Sequence, residues 1–277
     1  AKDLRVRKLV GKISSLPSFP KTYWELSDAA KRSEVGMAEL AQIVQKDGAM
    51  TAKVLQLVNS SYFGVAQRIT SVQQAVSYLG VGLIKGLALS AQVFGSPSAQ
   101  RAKNIDLDAL QNHCVLVGRI ARKLTADPKR GDEAFATGLV HDLGKLVLAT
   151  GLAAQYDEVL SACAGGTRPL HELEQAHLGA SHADVGSHLL AAWGLPYEMV
   201  EAVASHHQPS ATASDAGWDL LLVLHVANAA AGGVAGEPDE QDGGVDQAVI
   251  ARPRIAERWA SLREAALAER KRAVEDA

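Results

Sequence analysis

Apolar residues recur at spacings of three and four along nearly the whole chain, the period of a helix that turns one face to a core. Leu4, Leu9 and Ile13 form a first stripe, with basic residues between them. Leu16-Pro17-Ser18-Phe19-Pro20 ends it, because each proline disfavours α geometry in the residue before it. Five short helices are predicted between Lys21 and Phe94. Tyr23, Leu26 and Ala30 mark one stripe, and Met37, Leu40, Ala41 and Val44 mark the next. Asp47-Gly48 is a turn, after which Met50, Val54, Leu55 and Val58 follow at helical spacing. Ser71-Val72-Gln73-Gln74 reads as a capping box, with Gln74 reaching back to Ser71. It opens a helix that Gly80 ends, and another runs on to Phe94. Further helices are predicted over 106–125, 131–150, 151–164, 169–178, 181–193, 196–206 and 217–231. A charged helix closes the chain over 254–272, with Ile255, Trp259, Leu262 and Ala266 on one face. Alternating β-branched runs are scarce, so the expected fold class is all-α.

Turn residues divide this pattern. Gly95-Ser96-Pro97-Ser98 is the best internal boundary. The expected organisation is a connector helix over 1–15, an N-terminal helical lobe over 16–95, a second lobe over 106–231, a flexible acidic loop over 232–246 and a C-terminal helix over 247–277. With 277 residues, 47% hydrophobic and 21% charged, the chain can bury a core without disulfide or metal staples, which excludes a disordered protein. Lys plus Arg is 28 against 31 for Asp plus Glu, and the balance of −3 disfavours a nucleic-acid binder held by bulk charge. Cys114 and Cys163 show no metal-like spacing and fit a reducing compartment. The longest stretch without formal charge, Leu220 to Gly236, contains His225 and Asn228 and reads as a buried helix plus a loop. The charged opening, Ala1-Lys2-Asp3-Leu4-Arg5, does not read as a leader. These features set the expectation of a cytoplasmic protein with no membrane partner.

One run of residues carries a resemblance. Leu16-Pro17-Ser18-Phe19-Pro20 is followed by Ile43-Val44-Gln45-Lys46-Asp47-Gly48-Ala49-Met50-Thr51-Ala52-Lys53-Val54-Leu55. Then come Val58-Asn59-Ser60-Ser61-Tyr62-Phe63-Gly64, Ile69-Thr70-Ser71-Val72-Gln73-Gln74-Ala75 and Leu79-Gly80. From about Leu9 to His207 the chain resembles the HDOD domain family of bacterial signalling proteins, relatives of the HD metal phosphohydrolases. The resemblance implies a two-lobed helical bundle with an HD-like second lobe. It also implies a role in signal transduction, usually without catalysis. Its implied partners are signalling proteins, a receiver domain upstream in the same chain as in response regulators, or a nucleotide-like ligand. The residues themselves suggest structural roles in the most specific element. The Asn59 amide can bond free backbone groups at a helix end, and Gly64 can take a left-handed turn.

The chemistry lies beyond residue 110, where all nine histidines fall. His141-Asp142-Leu143-Gly144-Lys145 sits in a stretch predicted to be continuous helix, where both side chains could reach one ion near the seam between them. The dyad resembles that of HD phosphohydrolases, which implies an earlier histidine, here His113, and later ones, here His182, His206 and His207. Together with Asp142 as a bridging carboxylate, this set suits Fe, Mn, Zn or Ni, with two ions about 3.5–4 Å apart. Lys145, one turn beyond His141, would steady a phosphate if the chain were an enzyme. The last ligand of active HD enzymes is an aspartate, and Asn228 stands in that place in Leu224-His225-Val226-Ala227-Asn228. The loss of that charge weakens a site for hard cations. His206-His207 is followed by Gln208-Pro209, so the Gly-Tyr-Pro mark of cyclic di-GMP phosphodiesterases is missing. Gly138 to Lys145 does not make a P-loop, because Leu146 replaces the required hydroxyl. His171, His177, His188 and His225 fit no pattern and read as surface or core residues. Two readings stand at this point. One is a signalling module, probing a partner or small anion in a groove between lobes whose wall carries the histidines. The other is a metal-dependent phosphohydrolase acting on a nucleotide or cyclic dinucleotide.

Overall fold

The computed structural model describes residues 2–13, 16–32, 35–96, 99, 104–164, 168–211, 219–232 and 245–275. Among them no strand occurs, and the architecture is all-α. A first helix, α1 (Lys2–Val10), precedes four helices of the N-terminal lobe: α2 (Lys21–Ala29), α3 (Met37–Gln45), α4 (Gly48–Val58) and α5 (Val72–Phe94). The second lobe contains α6 (Leu107–Leu124), α7 (Pro128–Val140), α8 (Leu143–Gly151), α9 (Ala153–Ala164), α10 (Leu170–Leu178), α11 (His182–Ala192), α12 (Tyr197–Ser205) and α13 (Leu220–Ala231). A short α14 (Gln247–Ile250) and a long α15 (Pro253–Glu275) follow. Pro97 and Ser98 of the expected boundary, and residues 233–244 of the expected acidic loop, lie outside the described residues.

Local chemistry explains most helix starts. Asp47, Ser71, Asp106, Asp127, Ser181, Asp219 and Asp246 each accept a hydrogen bond from a backbone N–H of the first turn. The expected box at Ser71 is displaced by one residue. Ser71 Oγ accepts from Gln74 N, but Gln74 Oε1 accepts from the backbone N–H of Thr70 rather than of Ser71. Gly80 breaks α5 as expected, with φ 83°. Asn59 closes α4 and clamps the following loop. Its Nδ2 donates to Leu55 O and Ile69 O, and its Oδ1 accepts from Ile69 N, each at 2.8 Å.

Helices α2, α3 and α4 pack on α5, and α5 packs on α7, which joins the two lobes. The lobes share one continuous core, with Ile84 and Leu87 of α5 in the same cluster as Phe135 and Leu139 of α7. Helix α15 lies along α6 and α13. By length and composition α5 is apolar enough to cross a bilayer, yet 56% of its most apolar window is buried inside the protein. Its apolar character therefore has a core to serve.

Two close backbone approaches position the functional residues. A Cβ on Gly138 of α7 would lie 2.5 Å from the Cα of Gly118 on α6, so the two helices cross with no side chain between them. That crossing sets His113 beside His141, with ring centroids 5.3 Å apart. A Cβ on Gly144, near the start of α8, would lie 1.9 Å from the carbonyl oxygen of His182. The start of α11 can therefore press against the start of α8, and His182 arrives beside Asp142.

Candidate functional site

The dyad does not sit within a continuous helix. The predicted 131–150 helix is broken, with α7 ending before His141 and α8 beginning after Asp142. Asp142 has φ −98° and ψ 12°, outside the helical basin, and this break turns its carboxylate inward. His141 and Asp142 are 0% and 1% exposed.

Asp142 is the hub. Its Oδ2 lies 3.7 Å from His113 Nε2, 3.4 Å from His141 Nε2 and 3.0 Å from Lys145 Nζ. Its Oδ1 lies 3.3 Å from His182 Nε2 and 3.8 Å from His206 Nε2. Two groups of potential ligands result, one on each oxygen: His113, His141 and Asp142, and His182, His206 and His207. The seven residues expected to form the site are thus brought together, with Asn228 Oδ1 3.0 Å from His113 Nε2. The site lies within the second lobe, built by α6, α7, α8, α11, α12 and α13. It does not line an inter-lobe groove: His113, His141, Asp142, His182 and His206 are all buried, and His207 is half-buried.

Hydrogen bonds fix the ring orientations. His141 Nδ1 lies 2.8 Å from Gly138 O, and His206 Nδ1 lies 2.7 Å from Val203 O. A carbonyl accepts only, so each Nδ1 carries the proton and each neutral ring turns an Nε2 lone pair to the centre. His182 Nδ1 donates to Glu174 Oε2 at 2.6 Å, and Tyr156 Oη donates to the other oxygen of Glu174 at 2.9 Å. This carboxylate-histidine pairing is the support that metal-ligating imidazoles use. His141 Nε2, His206 Nε2 and Asp142 Oδ1 are buried without a hydrogen-bond partner. One orphaned imidazole acceptor in each group, at a shared carboxylate, matches the need of a cation, and the imidazole-carboxylate donor set fits Zn, Fe, Mn or Ni.

Burial pushes His113 down to about 3, against the opposing pull of Asp142. Burial likewise holds His141, His206 and His207 below the ordinary histidine range. Burial also opposes charge on His182, but Glu174 and Asp142 overcome it and raise this ring to about 9. Burial raises the Asp142 carboxyl, yet His141, Lys145 and His182 together hold it well below the usual carboxylate range. The Lys145 ammonium is directed onto Asp142 and is itself buried.

Three further residues carry no signal in the sequence. Glu174, 0% exposed, orients His182 from eight positions upstream. His171, expected to be an unremarkable surface or core residue, stacks on His207 with centroids 4.1 Å apart. His225 donates through Nδ1 to His206 O at 2.6 Å and accepts at Nε2 from Asp246 N, so it holds the α12 end in place. Only their packing across different helices reveals these roles. His177 instead donates to its own helix, at Leu173 O.

A broken helix presenting a His-Asp pair to histidines from three other helices defines a helical protein of the HD type. The HDOD domain pattern matches residues 16–209, and the chain belongs to the HDOD domain family. A crystal structure of an HDOD domain protein of unknown function from Geobacter sulfurreducens is similar at a TM-score of 0.71 and 20% identity, covering 99% of this chain and 93% of that one. A candidate phosphohydrolase from Shewanella amazonensis SB2B is similar at a TM-score of 0.65 and 21% identity, covering 96% and 97%. A candidate signal transduction protein from Marinobacter aquaeolei VT8 matches at a TM-score of 0.65 and 20% identity, covering 99% of this chain and 66% of that one. An uncharacterized protein of Treponema pallidum (strain Nichols) is 24% identical over 202 residues, 72% of this chain. The chain spans about two fifths of that relative's length, the matched part being 39% of it.

Proposed function

We propose that this chain is a signal-transduction module whose second lobe is organised around one buried transition-metal ion and which recognises rather than reacts. The ion would be held on the Oδ1 side of Asp142 by His182, His206 and His207. The observation that carries this reading is the asymmetry of the two groups. On the Oδ2 side the Lys145 ammonium already lies 3.0 Å from the carboxylate, and an amide, Asn228, occupies the remaining position at His113. On the Oδ1 side the neighbours are imidazoles alone: His182 Nε2 lies 3.3 Å from the carboxylate oxygen and 2.9 Å from His207 Nε2, and His206 Nε2 has no hydrogen-bond partner. One ion there would tie Asp142, at the start of α8, to α11 and the end of α12. Reaction with a phosphoester in the two-ion manner needs both sides, plus room for a substrate, and Asp142 is 1% exposed. The partner is a signalling protein or a receiver domain in the same polypeptide.

The second reading, a phosphohydrolase acting on a nucleotide or cyclic dinucleotide, is favoured by the orphaned His141 Nε2 on the Oδ2 side. A metal would supply Lewis acidity there. In that reading His113 and His141 present Nε2 to the ion, and Lys145 holds the Asp142 carboxylate in register. Hydrolysis of bis(p-nitrophenyl) phosphate and of cyclic di-GMP by protein incubated with Mn, Fe, Zn or Ni separates the two. No turnover above buffer is expected. Turnover abolished by Asp142→Ala would establish the enzyme instead.

A further inference from the structure

Away from the histidine centre, a cavity of about 570 Å3 opens where the Asn59–Gly64 element, α5, α6, α7 and α15 meet. Its volume lies in the range of small-molecule sites, roughly 300–1,000 Å3. Aromatic rings and cations share its lining: Tyr62, Phe63, Tyr78, Arg119, Arg122 and Lys123. The single acid of the lining is Glu269. Arg119 donates to Glu269 Oε1 through Nε at 2.9 Å and through Nη2 at 2.5 Å. Its third nitrogen, Nη1, is buried with no hydrogen-bond partner. Arg122 pairs with Asp132 beside the cavity, at 3.2 Å, and Lys123 is exposed, with no ion-pair partner among the described residues.

We propose that this cavity is a binding site for a phosphate-bearing planar ring, the chemistry of a nucleotide. The ring stacks among Tyr62, Phe63 and Tyr78, as aromatic side chains accept any base face. The phosphate meets Lys123 and the Arg119 guanidinium, since a guanidinium fork and a solvated ammonium are the usual phosphate donors. The most specific element of the sequence thereby gains a function beyond its turn: Asn59 clamps the loop so that Tyr62 and Phe63 are presented to the cavity. Glu269 comes from α15, beyond the 16–209 span of the domain, so the chain's own tail supplies a carboxylate that competes with the phosphate for Arg119. This site stands whether or not the histidine centre holds an ion.

Isothermal titration calorimetry on the whole chain, with the 5′-monophosphates of adenosine and guanosine, their nucleosides and inorganic phosphate, tests it. Saturable binding of a monophosphate is expected, at least about tenfold tighter than its nucleoside or phosphate alone, a ratio equal to one 1.4 kcal/mol step. Glu269→Gln should tighten that binding several-fold, and Lys123→Glu, an exposed change, should weaken it about tenfold without shifting the melting temperature. Absence of saturable binding by both monophosphates would overturn the proposal. So would phosphate alone binding as tightly, or an affinity unchanged in Lys123→Glu.

Discussion

Gly144→Ala is the sharpest test of how the centre is assembled. The added Cβ would lie 1.9 Å from the carbonyl oxygen of His182, 2.6 Å from its carbonyl carbon and 2.8 Å from its Cα. All three are backbone atoms, so no side chain can swing aside. Reaching an ordinary contact of about 3.4 Å requires α8 and α11 to part by about 1.5 Å. Overpacking of this kind costs about 3 kcal/mol, the upper end of the usual range. For a domain of this size that is a fall in melting temperature of about 6–12 °C. The parting also carries His182 Nε2 away from Asp142 Oδ1, now 3.3 Å apart, so ion affinity falls with stability. Gly48→Ala, whose added Cβ meets nothing within 4 Å, is the control and should change the melting temperature by at most a few degrees. Differential scanning calorimetry of both variants suffices. A Gly144→Ala protein that melts within a degree of the parent would refute the claim that helix contact places His182.

Other consequences follow from the same structure. In chelator-treated protein, His113, His141, His171, His206, His207 and His225 have folded values below the ordinary 6.5, so the unfolded chain binds more protons below that pH. Stability should therefore fall steeply from pH 6.5 toward pH 4, by up to about 1.4 kcal/mol per pH unit for each histidine, as read by urea unfolding. His182 has the opposite sign: raised to about 9, its contribution is complete below pH 6.5 and is lost as pH rises through 9, so a shallower alkaline decline is expected. A stability profile flat between pH 4 and 6.5 would contradict the buried neutral rings. Glu174→Gln should weaken ion binding about 10–100-fold, because His182 loses the carboxylate that orients it. Competition with a chromophoric chelator measures this, and an unchanged affinity would remove Glu174 from the site. Asn59→Ala removes three hydrogen bonds of 2.8 Å and strands Ile69 N, and should cost about 3 kcal/mol in chemical denaturation.

Much of the fold was legible because it is helical at nearly every step. Hydrophobic period, the proline break over 16–20 and the Ser71 cap marked helices, and Gly80 marked the kink in α5. The failure at the dyad is instructive. Residues 131–150 keep an unbroken apolar pattern across His141 and Asp142, because both sides of the break are buried, so periodicity carries no trace of it. The cluster of candidate residues was legible through spacing and resemblance, to the extent that His113, His141, Asp142, His182, His206 and His207 converge in space. Their supports were not. Glu174, His171 and His225 act across helix contacts that no local pattern encodes. Glu269 is one charge among many on the last helix, and its burial against Arg119 depends on where α15 comes to rest.

Metal analysis by plasma mass spectrometry, on protein purified without chelator or added metal, tests the central claim most directly. The account predicts about one Fe, Mn, Zn or Ni ion per chain, lost in His206→Ala and kept in His113→Ala. Background metal in folded protein would contradict it, and so would two ions per chain that both depend on Asp142 and accompany phosphoester turnover.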